Sequence, residues 1–204
     1  MFVIGLTGGI GTGKTQVSKL LRGLGAAVID ADLLAHEAYK PKTETWTAIV
    51  KAFGEDILTP SANIDRKKLG DIVFKYSGAL KRLNAITHPR IKDMIDTNIA
   101  KLKKDGENVV VVEAALLLGA NWRPIFNEVW VTTSSEDQVI PRVCKRNNLN
   151  EIEVRNRIRS QISQSKRIEQ ADVVIDNNGS LMELTDRVRQ IWEARVVTRK
   201  GEQA

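Results

Sequence analysis

Eight consecutive residues, Gly8-Gly9-Ile10-Gly11-Thr12-Gly13-Lys14-Thr15, concentrate more chemistry than any other part of the chain. Their spacing is G-x-x-x-x-G-K-S/T, directly after an apolar run and at the head of a helical pattern. Glycines so placed let successive backbone N–H groups curl around phosphate oxygens, and the positive end of the following helix adds to the field. Lys14 is expected to reach the β- and γ-phosphates of a bound triphosphate, and the Thr15 hydroxyl to ligate Mg²⁺. Residue type, spacing and flanking elements together predict a nucleotide-binding P-loop.

Carboxylates at strand exits decide what such a loop does. Asp30 and Asp32 close the apolar stretch "AAVID" and open the next segment. In an open parallel sheet that edge is where ligands bind. A carboxylate there orients and deprotonates an attacking hydroxyl, or holds Mg²⁺ through water. Asp32 is placed to reach forward, while Asp30 joins Thr15 as a candidate metal residue. The local alternative is that both are helix-capping or turn carboxylates. Glu113 follows four valines and ends a strand, where an acidic residue is expected to contact the Mg²⁺ shell. No guanine-reading T-x-x-x-N-K-x-D pattern is visible, and a motor ATPase needs more chain. A small kinase remains.

Net charge is +6, and its location matters more than its sum. Between Gln138 and Gln170 stand eight basic residues, Arg142 and Arg146 among them, against three acidic ones. Aromatics make up 5% of the chain and none lies in that window, whereas a single nucleic-acid strand stacks its bases on aromatic rings. A multiply phosphorylated small molecule, gripped by Arg forks, fits at least as well as nucleic acid, and a solvated helical face is the plain alternative; the expectation is the small molecule and no nucleic acid. Arg142 and Arg146, four apart on a helix, point the same way.

The elements that position these residues read as alternating strands and helices, which gives a parallel sheet built from βαβ units. Predicted strands are 2–7, 26–30, 108–114, 127–133 and 171–177. Predicted helices include Lys14 to Leu24, closed by Gly25, and roughly 180–195, with Leu181, Leu184, Val188 and Ile191 on one face. The expectation is one three-layer α/β domain of the P-loop nucleoside-triphosphate hydrolase fold with a five-stranded parallel sheet. Its core covers about 1–31, 106–134 and 169–204. A helical insertion, 32–105, covers the ends of the strands, and a helical lid, 135–168, carries the basic window. With 42% hydrophobic residues the chain can bury such a core.

The order of motifs resembles one family, the dephospho-coenzyme A kinases. "IGLTGGIGTGKT" is similar to their phosphate loop, with Thr12 where Ser is commoner. "VIDADLLAHE", "FGEDIL", "DRKKLGDIVF", "HPRI", "QVIPRVCKRN" and "RIRSQISQSKRIEQADVVIDNNG" follow in the family's order, from about residue 2 to residue 192. The stretch 113–122, "EAALLLGANW", departs from it: Glu113 replaces Asp, Ala115 replaces Pro, and Gly119 stands where Glu is common. There the chain is closer to the kinase module of eukaryotic coenzyme A synthase.

The resemblance implies Mg-ATP as donor and dephospho-coenzyme A as acceptor. By motif it implies Asp32 as general base, Lys14 and Arg142 as charge stabilisers, and Gly8, Gly9 and Gly11 to Gln16 as the phosphate cradle. It places Arg146 and Asn177 on the ATP side, Thr7, Asp32, His88, Arg90 and Glu113 towards the acceptor, and Thr15, Asp30 and Glu113 at the metal.

Two other readings share the loop: a nucleoside or nucleotide kinase of the same fold, and a non-catalytic nucleotide-binding regulatory module. His36 reads as structural, and His88 before Pro89 reads as a helix start, either a cap or a ligand. Two histidines and the single Cys144 form no zinc site and no internal disulfide. With no apolar run of about 18 residues and no leader pattern, the expectation is a cytoplasmic protein without membrane partners, monomeric or weakly self-associating. The tail "RVVTRKGEQA" carries no interpretable motif.

Overall fold

An apolar strand that lies in the middle of a parallel sheet needs no polar alternation, because both faces are covered. Phe2–Gly8 (β1) follows that rule and is buried from Val3 to Leu6. The computed structural model describes residues 1–115, 117–120 and 122–198. Its five-stranded sheet runs β2-β3-β1-β4-β5, with β2 Ala27–Asp30, β3 Val109–Glu113, β4 Glu128–Thr133 and β5 Val173–Asp176. β1 pairs in parallel with β3 (Phe2 opposite Val109) and with β4 (Ile4 opposite Glu128), and β4 pairs in parallel with β5. The predicted strands are all present within one or two residues at each end.

The chain divides into two compact units, Met1–Ile29 with the chain from Lys101 onward, and Asp30–Ala100. In the first unit, α1 (Lys14–Gly23) and α9 (Leu181–Trp192) lie on one face of the sheet. Their Val17, Leu21, Leu184, Val188 and Trp192 close over Ile4, Leu6, Val109, Val111 and Trp130. Trp130 is fully buried, and its Nε1 donates to Glu128 Oε2 at 2.9 Å. Leu181, predicted on this buried face, is 60% exposed. It is the first residue after the Ser180 cap, and the buried row runs instead through Leu184, Val188 and Trp192 at steps of four. α9 passes at Glu193–Val197 into a π-helical turn that buries Val196, and the tail residues 199–204 lie outside the described residues. The interval predicted as lid holds α6 (Glu136–Asn147), α7 (Glu151–Arg159) and α8 (Gln164–Ile168). Val139, Ile140, Val143 and Val154 form its own apolar cluster.

The second unit is helical, with α2 (Ala31–Ala38), α3 (Glu44–Phe53) and α4 (Arg66–Lys75), and most of α5 (Ala79–Lys104). Ile49, Ile57, Ile64, Leu69, Val73 and Leu83 form its core, and the only strand-like pairing among its described residues is an isolated bridge between Leu58 and Ile64. Pro89 does not open a helix. It lies inside α5, so the reading of His88 as a helix start is corrected. An interior Pro removes a helical hydrogen bond at a cost of about 3 kcal/mol. The buried row Leu83, Thr87, Ile91 and Ile95, again at steps of four, carries the helix through it.

Candidate functional site

The loop after β1 has the shape its glycines demand. Gly13 caps α1 with φ +97°, a left-handed conformation, and a Cβ there would collide with the Asn177 amide. Gly8 lies so close to Thr132 and Thr12 that a Cβ would overlap both hydroxyls. Asn177 Nδ2 donates to Thr12 O at 3.0 Å, which ties the loop to the end of β5. Thr12 itself turns inward: it is buried, donates to Gly9 O at 2.8 Å and shares a 2.8 Å bond with Thr132 Oγ1. The side chain of Thr12 therefore braces the loop, while its neighbours present themselves to solvent.

Those neighbours line a cavity of about 430 Å³. Gly8, Gly9, Gly11, Gly13, Lys14, Thr15 and Gln16 form one wall, and Arg142, Arg146, Gln161 and Asn177 another. Arg142 is pre-set by three bonds: Nη1 donates to Ser134 Oγ (3.3 Å) and Asn177 O (3.1 Å), and Nη2 to Gln138 Oε1 (3.3 Å). Arg146 donates from Nε to Asn147 Oδ1 at 2.9 Å. Thr15 Oγ1 donates to Glu113 Oε1 at 2.9 Å, and Glu113 is only 7% exposed. The structure thus brings together, within one unit, the loop, Lys14, Thr15, Glu113, Arg142, Arg146 and Asn177. Thr7 is buried in β1 just before them. Among the described residues no group of three or more His, Cys, Asp or Glu is arranged around a common metal position.

Asp30, Asp32, His88 and Arg90 belong to the second unit. Asp30 caps α2, with Oδ1 accepting from Asp32 N (2.9 Å) and Leu33 N (3.0 Å), so the capping alternative accounts for one of its oxygens. Asp32 stands in the first turn of that helix. His36 Nε2 meets Arg66 Nη1 at 2.8 Å, a structural pairing. Burial holds the His88 imidazole below its usual 6.5. Arg90 forms an ion pair with Glu44 and lines, with Asp93, Met94, Thr97 and Asn98, a cavity of about 450 Å³.

Three polar residues of the first unit were not picked out from sequence. Thr132 is the partner of Thr12. Gln161 accepts from the loop's Ile10 N at 3.0 Å. Arg167 is 6% exposed, and burial pulls the pKa of its guanidinium below the ordinary arginine value. Each sits far along the chain from the loop; Gln161 and Arg167 lie within the basic window and the family-like stretch 157–179, but nothing local assigns either a task at the loop. Cys144, flanked by the two arginines, packs against the apolar cluster of α6 and α7.

Comparison with known proteins agrees with this geometry. The family model described as "Dephospho-CoA kinase" matches residues 2–183. A dephospho-CoA kinase of Geobacter sulfurreducens is 46% identical over 195 residues, covering 96% of this chain and 99% of the relative. The solved dephospho-CoA kinase of Campylobacter jejuni superposes with a TM-score of 0.69 at 27% identity, covering 94% of this chain and 96% of that one. A solved Thermus thermophilus protein superposes with a TM-score of 0.83 at 28% identity over 96% of this chain and 97% of its own. A phosphate loop with its Thr15–Glu113 pair, an arginine pair on the helix after β4 and a family match along nearly the whole length lead to one conclusion: the chain belongs to the dephospho-CoA kinase family.

Proposed function

We propose that this protein transfers the terminal phosphate of ATP to the 3′-hydroxyl of the ribose of dephospho-coenzyme A, releasing coenzyme A and ADP, the last step of coenzyme A synthesis. The observation that carries the reading is the Thr15–Glu113 pair at the foot of the phosphate cavity. A hydroxyl and a buried carboxylate are hard oxygen donors of the kind Mg²⁺ takes alongside phosphate oxygens and water, so the residues present fit that ion. When bound, Mg²⁺ neutralises charge developing on the β- and γ-oxygens.

The chain's own groups supply the rest. Backbone N–H groups of Gly8 to Gln16 cradle the phosphates, with Asn177 holding their loop. Lys14, Arg142 and Arg146 balance the charge of the transferring group. Arg142 is already fixed by three bonds, so little reorganisation accompanies the transition state. Asp32 takes the proton of the acceptor hydroxyl as its oxygen bonds to phosphorus and ADP departs. Asp30, whose Oδ1 caps α2, would offer its other oxygen to help hold Mg²⁺. Thr7, His88, Arg90 and Glu113 serve the acceptor, within an acceptor-binding insertion 32–105 in the case of His88 and Arg90. The segment 135–168 acts as lid, excluding water from the donor. No helix among the described residues is long and apolar enough to cross a membrane.

The test is ADP release in Mg-ATP with dephospho-coenzyme A, adenosine, cytidine, UMP, AMP or no acceptor. Release with dephospho-coenzyme A alone is expected, lost in Lys14→Ala and reduced in Asp32→Asn by roughly 10²–10³, the scale of one transition-state contact. Release with a nucleoside or nucleotide instead assigns a different acceptor. Near-normal turnover of folded Asp32→Asn removes Asp32 from the role of base.

A further inference from the structure

Gln161, in the turn between α7 and α8, joins the lid segment to the phosphate loop through a side-chain hydrogen bond to a backbone N–H. Its Oε1 accepts twice, from Ile10 N at 3.0 Å and from Arg167 Nη2 at 3.4 Å. Both partners can only donate, so the carbonyl oxygen must face them and the amide nitrogen must face away. That Nε2 has no hydrogen-bond partner among the described residues. Gln161 borders the 430 Å³ cavity together with Lys14, Arg142 and Arg146. It also borders a second cavity of about 340 Å³, which shares Gly9 and Ile10 with the first.

Arg167 fixes this orientation. It is nine-tenths buried, donates from Nε to Ile162 O at 3.1 Å, and has no carboxylate within ion-pair distance among the described residues. A buried guanidinium without a counter-ion is expensive, and methylene-rich side chains would fill the space at less cost. Its retained bonds are to the Gln161 carbonyl and the backbone beside it, so its evident product is a Gln161 amide held in one rotamer.

We propose that Gln161 is a substrate-contacting residue whose Nε2 donates to the terminal phosphate of the bound triphosphate, and that Arg167 is the positioning residue that aims it. The inference rests on the nucleotide-donor reading above. Gly9 and Ile10 form the half of the loop farthest along the chain from the start of α1 at Lys14, and the terminal phosphate would lie against that half. A donor delivered there by the lid distinguishes ATP from ADP and registers lid position at the reacting group.

The decisive variant is Gln161→Glu. A carboxylate still accepts from Ile10 N–H and gives Arg167 a counter-ion, so the brace survives, but the Nε2 donor is gone. Calorimetric titration in Mg²⁺ compares ADP with a non-hydrolysable imido analogue of ATP on the wild type, Gln161→Glu and Gln161→Ala, with thermal melts as the folding control. The expected result is a loss of about ten- to a hundredfold in affinity for the triphosphate, the range of a hydrogen bond to a charged group, with ADP affinity little changed. Arg167→Met is expected to lose part of the same preference, and Arg167→Lys to restore it. Equal losses for both nucleotides, or a Gln161→Glu variant that binds the triphosphate like the wild type, overturn the assignment and leave Gln161 a structural brace. If the wild type binds neither nucleotide, the donor reading itself falls, and this one with it. An Arg167→Met variant with unaltered preference overturns the positioning role alone.

Discussion

Buried hydroxyls brace the phosphate loop from within. Thr12 and Thr132 share a buried hydroxyl bond, and Thr132→Val keeps the volume while removing one hydroxyl. Thr12 still donates to Gly9 O, so the expected destabilisation is about 1 kcal/mol, read from the denaturant midpoint, with weaker ADP binding by titration. An unchanged midpoint would show the hydroxyl pair to be dispensable. Gly13→Ala is the harsher test: the left-handed backbone alone costs about 1–2 kcal/mol with a Cβ, and Asn177 must move as well. Loss of nucleotide binding in a variant that still melts cooperatively is the expected outcome. These residues also mark where sequence reading stops. Loop, Lys14 and Thr15 were legible because one local pattern encodes their job. Gln161 and Thr132 meet the loop across 151 and 120 residues of chain, and only the fold brings them there, whereas Asn177, 165 residues away, was reached through the family resemblance and not through any local pattern.

At the scale of elements, caps and buried rows govern what holds. α9 begins with a reciprocal capping box in which Ser180 N and Oγ donate to Glu183 Oε2 at 2.6 and 2.8 Å, and Glu183 N donates back to Ser180 Oγ at 3.2 Å. The Ser180 N–H first, then its hydroxyl, and Arg187 beyond them, hold the Glu183 carboxyl below its usual 4.5. A depressed carboxyl stabilises the fold above its unfolded value and loses that contribution as pH falls through the folded one. The melting-temperature deficit of Glu183→Ala is therefore expected to be full at neutral pH and to shrink as pH drops below about 4.5; a deficit constant with pH would contradict it. The lid role proposed for α6 to α8 predicts that their amides gain hydrogen-exchange protection in Mg-ATP, and equal protection with and without nucleotide would count against closure. Strands and most helices were readable because their apolar periods are strong. Pro89 and Leu181 were misread because a local rule, Pro opening a helix or a three-residue step, yielded to the four-residue buried rows of α5 and α9.

At the scale of the whole chain, Trp130 is the largest fully buried side chain and stands in the core over which α1 and α9 close. Trp130→Ala is expected to remove about 3–5 kcal/mol, a large part of the roughly 5–15 kcal/mol that holds a domain together. A melting temperature near that of the wild type would be the contrary result. The order of the sheet has its own consequence during synthesis. β1 is made first, yet its two neighbours are β3 and β4, and Phe2 finds its partner only at Val109. At ribosomal speeds of about 5–20 residues per second, "FVIGL" waits roughly 5 to 20 seconds without a strand beside it. Asp30–Ala100, by contrast, is one uninterrupted stretch with its own apolar cluster. The nascent chain can therefore bury that cluster while its first apolar strand is still unpaired, which makes the opening strand a natural client of the chaperones that meet chains at the exit tunnel.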